Sequence, residues 1–190
     1  MRRVWPRRAA ELLVPLVAAG LLLSGCGGDS PEPKPLPKDS KSEPSASPSP
    51  TPPAMPAAAK RKTKAGAIAF TKTFIKTLNY SGASGDTAPF RRLFIAPCTR
   101  CEATADGIDK TYSAGGYFRG GGWVPTRFQF HTMDGNVAVL DALVTYEAQT
   151  WVKRSGAKPV KYPSSKNHLK AFNLRWQSGQ WRVSALDPTT

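Results

Sequence analysis

Histidine and cysteine are scarce in this chain, which narrows the chemistry open to it. The 190 residues include two histidines and three cysteines. Relative to the cysteines, His131 and His168 stand at no spacing typical of a zinc finger or a zinc enzyme. The sequence therefore predicts no metal site and no cofactor.

Acidic residues are also few, at 13 Asp and Glu against 27 Lys and Arg, which gives a net charge of +14. Such a surplus attracts polyanions. Because no nucleic-acid motif and no alternating array of basic and aromatic residues accompanies it, we expect no nucleic-acid partner. Outside the membrane the charge favours lipid head groups, anionic envelope polymers or acidic proteins, or it serves solubility alone.

A phosphate-binding loop is missing too. Gly120, Gly121 and Gly122 lack the lysine of a Walker motif and the spacing of a dinucleotide fingerprint. Three consecutive glycines are typical of a turn or a loop at a strand edge. We therefore expect a turn here.

Long apolar runs are absent as well. The run from Leu12 to Leu23 is shorter than the roughly 20 residues that a transmembrane helix needs, and Pro15 interrupts it. A segment with four arginines precedes this run and small residues follow it, which is the three-part pattern of a secretory signal. We interpret residues 1–25 as a signal peptide, and the pair Arg2-Arg3 leaves twin-arginine export open beside ordinary secretion.

The end of this signal, Leu23-Ser24-Gly25-Cys26, resembles the lipobox of bacterial lipoproteins. The resemblance implies that the Cys26 thiol receives a diacylglyceryl group and that cleavage makes Cys26 the mature N-terminus. Two or more acyl chains hold a protein firmly on a bilayer. The implied location is the cell membrane, with the protein lipid-anchored on its extracytoplasmic face.

Residues 26–64 carry this cysteine and then a linker of Pro, Ser, Lys and Ala with almost no large apolar side chain. Such a segment cannot bury enough surface to offset its ordering entropy. We expect a disordered spacer that reaches roughly 35 to 120 Å, depending on whether it behaves as a coil or as polyproline II.

Residues 65–190 are enough for one hydrophobic core. An apolar stripe that includes Phe70 and Phe74 predicts a first helix, and Asp86 can begin a short second one. Thr99 and Glu102 have the spacing of a capping box, which predicts the start of a third helix that ends at Gly115-Gly116.

The period then changes to two, which predicts strands. Asp134-Gly135 indicates a hairpin that leads into a long strand from Val137 to about Lys153, and Ser178-Gly179 joins two further strands. Helices first and an antiparallel meander afterwards predict an α+β fold. We expect the N-terminal helices to pack on a C-terminal curved sheet of about four strands, in a cone-like arrangement.

Two resemblances follow from these features. The pattern Pro97-Cys98-Thr99-Arg100-Cys101, then Tyr112, Gly115-Gly116 and the three glycines, behind a lipobox and a Pro/Ser linker, resembles an uncharacterised family of actinobacterial lipoproteins with a domain of unknown function. The element order resembles the cone fold of the nuclear-transport-factor-two-like superfamily, which includes isomerases, dehydratases and pure binding domains. The second resemblance implies a fold and licenses no function.

Cys98 and Cys101 are three residues apart at the start of a predicted helix. In an exported protein this spacing allows a disulfide, which closes a small loop and contributes roughly 2 kcal/mol in the chain-entropy model. The alternative is thiol exchange, because a helix N-terminus lowers the pKa of a thiol. No strand of a βαβ unit leads into Cys98, so we favour the structural disulfide.

Residue parity along the strands bears on catalysis. It places Asp141 and Glu147 on the outer face beside Arg127, Arg175 and Arg182, as cross-strand charge partners. The inner face then suits an apolar core or a binding pocket, and we predict no catalytic residue. The residues that we expect to line such a pocket are Tyr112, Trp123, Phe128, Phe130, Tyr146, Phe172 and Trp176.

These observations favour a lipid-anchored, non-enzymatic domain that binds an envelope polymer or a partner protein, of undetermined oligomeric state. One alternative is a pocket enzyme of isomerase or dehydratase type that uses Tyr112, Tyr146 and either His131 or Asp141. The other is a thiol-redox accessory protein that acts through Cys98 and Cys101.

Overall fold

The computed structural model describes residues 51–188, and in them helices precede strands. Signal peptide, Cys26 and linker up to residue 50 lie outside the described residues. A 3-10 turn at Ala57–Lys60 comes before the helices α1 (Lys64–Ser84), α2 (Ala88–Arg91) and α3 (Thr99–Ser113). The strands are β1 (Tyr117–Gly120), β2 (Trp123–Asp134), β3 (Val137–Tyr146), β4 (Gln149–Val152), β5 (Val160–Tyr162), β6 (Ser165–Gln177) and β7 (Gln180–Pro188). The α+β prediction is confirmed.

Strands β2, β3, β6 and β7 form a four-stranded antiparallel sheet in that order. Both predicted hairpins are present. The β2–β3 turn uses Gly135 at φ 53°, and the β6–β7 turn uses Ser178 and Gly179 at φ 50° and 76°. Two successive residues in the left-handed region match the right-handed twist of the flanking strands.

The long strand expected from Val137 to about Lys153 is instead two strands in two sheets. β1, β4 and β5 form a separate three-stranded sheet, in the order β1-β4-β5. The break at Glu147 lies beside the three glycines, which have φ values of 64°, 79° and 115°. Residues other than glycine rarely adopt these φ values. Because the Glu147 N–H donates to the Gly122 carbonyl (3.0 Å), the bend in one segment fixes the bend in the other.

Aromatic side chains fill the space between the helices and the four-stranded sheet. The Phe74 ring lies 5.0 Å from the Phe90 ring and 5.7 Å from the Phe172 ring, between centroids. The largest fully buried side chains are Trp181, Phe70, Phe74, Phe90 and Phe172, followed by Ile75, Leu140 and Leu174. Buried apolar surface contributes about 25 cal/mol per Å², so this layer stabilises the packing of the helices on the sheet.

Packed structure also extends to the N-terminal side of residue 65, into the segment that we expected to be linker. Ala59 in the 3-10 turn is buried, and Met55 packs against the core. The Trp181 indole N–H donates to the Arg61 carbonyl at 2.9 Å. This segment therefore covers one end of the core.

Cys98 and Cys101 are joined as a disulfide, with 5.3 Å between their Cα atoms. The predicted pairing is supported. Both residues are at most 1% exposed, so the pair belongs to the core. The predicted capping box is wrong, because Cys98 rather than Thr99 is the N-cap and makes no side-chain cap hydrogen bond. Glu102 binds Arg91 instead, at 2.5 Å.

Among the described helices, none combines the length and the apolarity that crossing a bilayer requires.

Candidate binding cleft

A cleft of about 440 Å³ lies where the C-terminal half of α1 faces α3 and the three-stranded sheet. The helices contribute small side chains, the glycine turn contributes backbone, and the sheet contributes aromatic rings and an amide. The lining residues are Leu78, Asn79, Gly82 and Ala83; Ala103, Thr104, Gly107, Ile108 and Thr111; Gly120, Gly121, Gly122 and Trp123; and Phe118, Gln149, Trp151 and Tyr162. We call this set the cleft, and none of its members is Asp, Glu, His, Lys or Arg.

Two helix glycines, Gly82 and Gly107, leave open space on the helical sides of the cleft. A Cβ atom added to either would meet no atom within 4 Å. A glycine inside a helix costs about 1 kcal/mol relative to Ala. Such a glycine can admit the close approach of a neighbouring chain or of a ligand. Since no neighbouring chain comes close here, the missing side chains only enlarge the cleft.

Asn79 of α1 positions Trp123 at the mouth of the cleft. Its Oδ1 accepts from the Trp123 N–H at 2.9 Å, and its Nδ2 donates to the Trp123 carbonyl at 3.0 Å. Trp123 directly follows the glycine turn, where the backbone groups have few ladder partners. The two hydrogen bonds therefore satisfy that backbone and fix where β2 starts relative to α1.

The sheet side of the cleft is a stacked pair of rings. Phe118 of β1 and Trp151 of β4 pair across the two strands, with their rings 6.2 Å apart and 6° from parallel. The Trp151 indole N–H donates to the Thr111 hydroxyl at 3.2 Å, which in turn donates to the Gly107 carbonyl at 2.9 Å. This chain of hydrogen bonds ties the aromatic side to α3.

Tyr112 lies behind this aromatic side rather than in the cleft. Its hydroxyl donates to the carbonyls of Gly82 (2.9 Å) and Ala83 (2.8 Å) at the end of α1. Burial raises the pKa of Tyr112, against a backbone hydrogen bond with Phe118 that lowers it. The phenol thus joins α3 to α1 and stays protonated at neutral pH.

A second depression of about 460 Å³ adjoins the cleft. It is lined by Gly122, Trp123, Tyr146, Glu147, Gln149, Tyr162, Pro163 and Ser165. We call this set the groove. Both depressions are lined by Gly122, Trp123, Gln149 and Tyr162, so they lie side by side.

The structure separates most of the residues that we expected around a pocket. Trp123 lines the cleft and the groove, and Tyr146 lines the groove. Phe172 is fully buried in the core. The remaining expected residues lie elsewhere: Phe128 and Phe130 under the ammonium groups of Lys72 and Lys64 (5.4 Å each), Trp176 against Trp181, and Tyr112 behind the cleft.

The charge partners of the sheet also differ from expectation. Asp141 binds His131, with 2.7 Å between Oδ2 and Nε2, and not the arginines named above. A register shift between Phe130 and Thr132 leaves His131 as an extra residue in β2, and the cross-strand partner of Asp141 is Gln129. Within residues 51–188, no three His, Cys, Asp or Glu side chains gather in a way that could hold a metal ion.

Sequence comparison gives the chain a family. A family of unknown function, DUF6318, matches residues 40–187. The chain belongs to this DUF6318 family. The predicted relationship to a domain of unknown function is thereby confirmed, whereas its lipoprotein and actinobacterial parts stay predictions. No curated protein matches this DUF6318 chain in sequence.

Several solved structures are similar to this DUF6318 protein at low sequence identity. The intermembrane-space region of the chloroplast protein ARC6 has a TM-score of 0.50 at 9% identity, over 68% of this chain and 98% of that one. A function-unknown protein from Mycobacterium tuberculosis has 0.42 at 16%, over 65% and 75%. A protein of the NTF2-like family from Streptomyces avermitilis has 0.41 at 10%, over 65% and 97%. At 9% identity the first of these similarities concerns the fold alone.

Proposed function

We propose that this DUF6318 protein is a lipid-anchored binding protein at the extracytoplasmic face of the cell membrane. Its ligand site is the cleft between α1, α3 and the three-stranded sheet. One observation carries the assignment: Gly82 and Gly107 give up helix stability and leave open space in a cavity lined by aromatic rings. Pockets of 300–1,000 Å³ with mainly apolar linings are the common form of small-molecule sites.

The lining defines the kind of group that fits. The cleft side chains carry no formal charge, so a charged group would lose its hydration without an ion partner. Rings of Phe118, Trp151 and Trp123 supply apolar contact area, while the Gln149 amide supplies one donor and one acceptor group. The proposed ligand therefore presents a neutral, largely apolar group to the cleft.

None of the residues named for the two alternative functions, pocket enzyme and thiol-redox protein, lines the cleft. The isomerase or dehydratase alternative named four side chains outside the cleft lining: His131 pairs with Asp141 on the sheet, Tyr112 bonds to α1, and Tyr146 lines the groove. Thiol exchange needs an accessible sulfur, whereas Cys98 and Cys101 are 1% and 0% exposed. Binding remains the function that the geometry supports best.

The cleft is tested with N-phenyl-1-naphthylamine, a neutral apolar fluorophore. The test uses the full chain with Cys26→Ser. This variant lacks the proposed lipid-bearing sulfur, so the probe meets no acyl chains attached to the protein. We expect saturable fluorescence enhancement that Gly107→Leu reduces at least about tenfold in affinity, or ~1.4 kcal/mol. Gly107→Ala, which adds one methyl group, is the matched control. Equal binding to both variants would refute the cleft as the ligand site.

The anchor requires a separate test. Cells that express the native chain are labelled with a clickable fatty acid and separated into membrane and soluble fractions. We expect label and membrane association for the native chain and neither for Cys26→Ser, because the acyl chains attach to that sulfur. Cys98→Ser together with Cys101→Ser controls for loss of cysteine in general and should retain the label.

Unpaired positive charge supports a second, electrostatic mode of binding. Among residues 51–188, Arg91 and His131 are the basic residues with a carboxylate within 4.0 Å. Lys72 and Lys76 are exposed, one turn apart on α1. We expect the Cys26→Ser chain to bind vesicles that contain phosphatidylglycerol, and to lose this binding in high salt and in the double variant Lys72→Gln, Lys76→Gln. Affinity indifferent to ionic strength would contradict this mode.

A further inference from the structure

The cleft and the groove differ in chemistry although they lie side by side. Their shared residues include Trp123, Gln149 and Tyr162, so a single molecule can contact both. We propose that they are two halves of one site for a neutral glycosylated amphiphile, with its apolar part in the cleft and its sugar in the groove. This inference rests on the proposed binding function of the cleft and adds the class of ligand.

The apolar half of the ligand follows from the cleft. Leu78 and Ile108 form its buried base, and the open positions Gly82 and Gly107 let a chain or ring lie directly against the helix backbones. No lining side chain there can pair with a charge. An alkyl chain or a flat apolar ring meets these conditions, and its burial contributes about 0.8 kcal/mol for each methylene.

The sugar half follows from the groove. Trp123, Tyr146 and Tyr162 bring three aromatic rings to it, and the apolar C–H faces of a pyranose stack on such rings. The same surface carries the Glu147 carboxylate, the Gln149 amide and the Ser165 hydroxyl. These groups supply the acceptors and donors that ring hydroxyls need. Aromatic faces next to hydrogen-bonding groups thus match a sugar better than a plain alkyl chain.

The sign of the head group follows from Glu147. It is exposed and lines the groove, and it carries the one formal charge among the groove residues. The Lys170 ammonium lies 5.6 Å from the Trp123 ring centroid and 5.4 Å from that of Tyr146, but it is outside the groove lining. A phosphate in the groove would meet a like charge, whereas a sugar hydroxyl can donate to the carboxylate. We therefore assign a neutral head group.

The test uses four water-soluble probes with the full chain carrying Cys26→Ser: hexyl β-glucoside, 1-hexanol, methyl β-glucoside and hexyl phosphate. Each is titrated below its micellar concentration and followed by calorimetry. We expect hexyl β-glucoside to bind at least about tenfold more tightly than any of the other three. Circular dichroism of each variant confirms that it is folded.

Three variants separate the halves of the site. Gly107→Leu should weaken hexyl β-glucoside and 1-hexanol alike. Tyr146→Ala should weaken hexyl β-glucoside about fivefold and leave 1-hexanol unchanged, because the Tyr146 ring lines the groove and not the cleft. Val160→Ala is its control, since Val160 is an exposed apolar residue of β5 that lines neither depression. Glu147→Gln should improve the affinity for hexyl phosphate, because it removes the like charge that the phosphate would meet in the groove.

The outcomes distinguish a failure of this inference from a failure of the proposed binding function on which it rests. If 1-hexanol binds as tightly as hexyl β-glucoside and Gly107→Leu weakens both, the cleft binds apolar groups but the assignment of a sugar is overturned. Tighter binding of hexyl phosphate would likewise overturn the neutral head group. If Gly107→Leu changes the affinity of no probe, the proposed function of the cleft fails as well.

Discussion

The ring of Tyr112 lies directly on Gly85, so that a Cβ atom at Gly85 would be 2.6 Å from the Cδ1 atom of the ring. Gly85 has φ 80° and is the C-cap of α1, and its N–H donates to the Ser81 carbonyl at 2.8 Å. Two independent requirements therefore select glycine here, namely the left-handed backbone and the contact with the ring. Through this contact the end of α1 is held against α3, and both helices border the cleft.

Tyr112→Phe should lower the free energy of unfolding by about 1 kcal/mol, because the carbonyls of Gly82 and Ala83 lose the one hydroxyl donor that they share. The raised pKa of Tyr112 adds a pH dependence. Above about pH 10 the unfolded chain ionises first, so the stability of the native protein falls as pH rises toward the folded-state pKa. Urea titrations at pH 8 and pH 10.5 should show that fall for the native chain and a smaller one for Tyr112→Phe. A parallel fall in both proteins would rule out Tyr112 as its source.

Alanine substitutions at different helix glycines should have opposite effects on stability, because the surroundings of these glycines differ. Gly82→Ala and Gly107→Ala should each raise the free energy of unfolding by about 1 kcal/mol, since the methyl group meets open space and Ala favours the helix. Gly66→Ala is the contrasting case, because its Cβ would overlap the Arg61 carbonyl oxygen. Thermal unfolding of the three variants measures the difference. Destabilisation by Gly107→Ala would mean that the space beside it is not free.

Asn79 should be essential for the position of Trp123. In Asn79→Leu the N–H and the carbonyl of Trp123 lose their partners, which should lower the free energy of unfolding by roughly 1–3 kcal/mol. Tryptophan fluorescence should shift to longer wavelength as Trp123 becomes more hydrated. Lys76→Leu, less than one turn away on the exposed face of α1, is the control and should change neither property by a comparable amount.

Arg91 joins α2 to the acidic face of α3. Its guanidinium lies 2.5 Å from Glu102, 2.6 Å from Asp106 and 2.7 Å from Asp109. The hydrogen bond from Arg91 is the main reason that the pKa of Asp109 is lowered, with a further contribution from Thr87. Because the folded-state pKa is depressed, this stabilisation is present above the ordinary carboxyl pKa of about 4 and is lost as pH falls through the folded-state value.

Arg91→Met should therefore lower the free energy of unfolding by about 1 kcal/mol at pH 7, a modest value because the pairs are partly exposed. The difference from the native chain should shrink as pH falls below about 4. Urea titrations at pH 7, 5 and 3 measure it, and Arg92→Met is the control at the next position. A difference of the same size at all three pH values would show that lost packing, not charge, is responsible.

Local patterns in the sequence predicted the elements of the fold and the disulfide pair. The apolar stripe of α1, the hairpins at Asp134-Gly135 and Ser178-Gly179 and the Cys98–Cys101 spacing depend on residues close in the chain. The division of the long strand could not be predicted in the same way, since Glu147 and Ala148 are not residues that end strands. Its cause is in the paired segment, where the three glycines bend.

The cleft escaped prediction for a related reason. Alternating aromatic residues identified inward positions, but an inward ring such as Phe172 fills the core where a helix covers it. The cavity lies instead where the helices carry glycine, and apolar periodicity takes no account of a missing side chain. Gly107 in the middle of α3 was the one signal in the sequence, and its meaning depends on the distance to its neighbours.

Gly82 and Gly107, the two helix glycines that line the cleft, have a consequence for protein engineering. A library of this chain selected for heat resistance alone would enrich alanine at Gly82 and Gly107, since that change gains helix propensity without a clash. The variants enriched by such a selection would keep the fold but would have a narrower cleft. Selection for thermostability in this protein should therefore be paired with a screen for ligand capture, or it will remove the property it is meant to preserve.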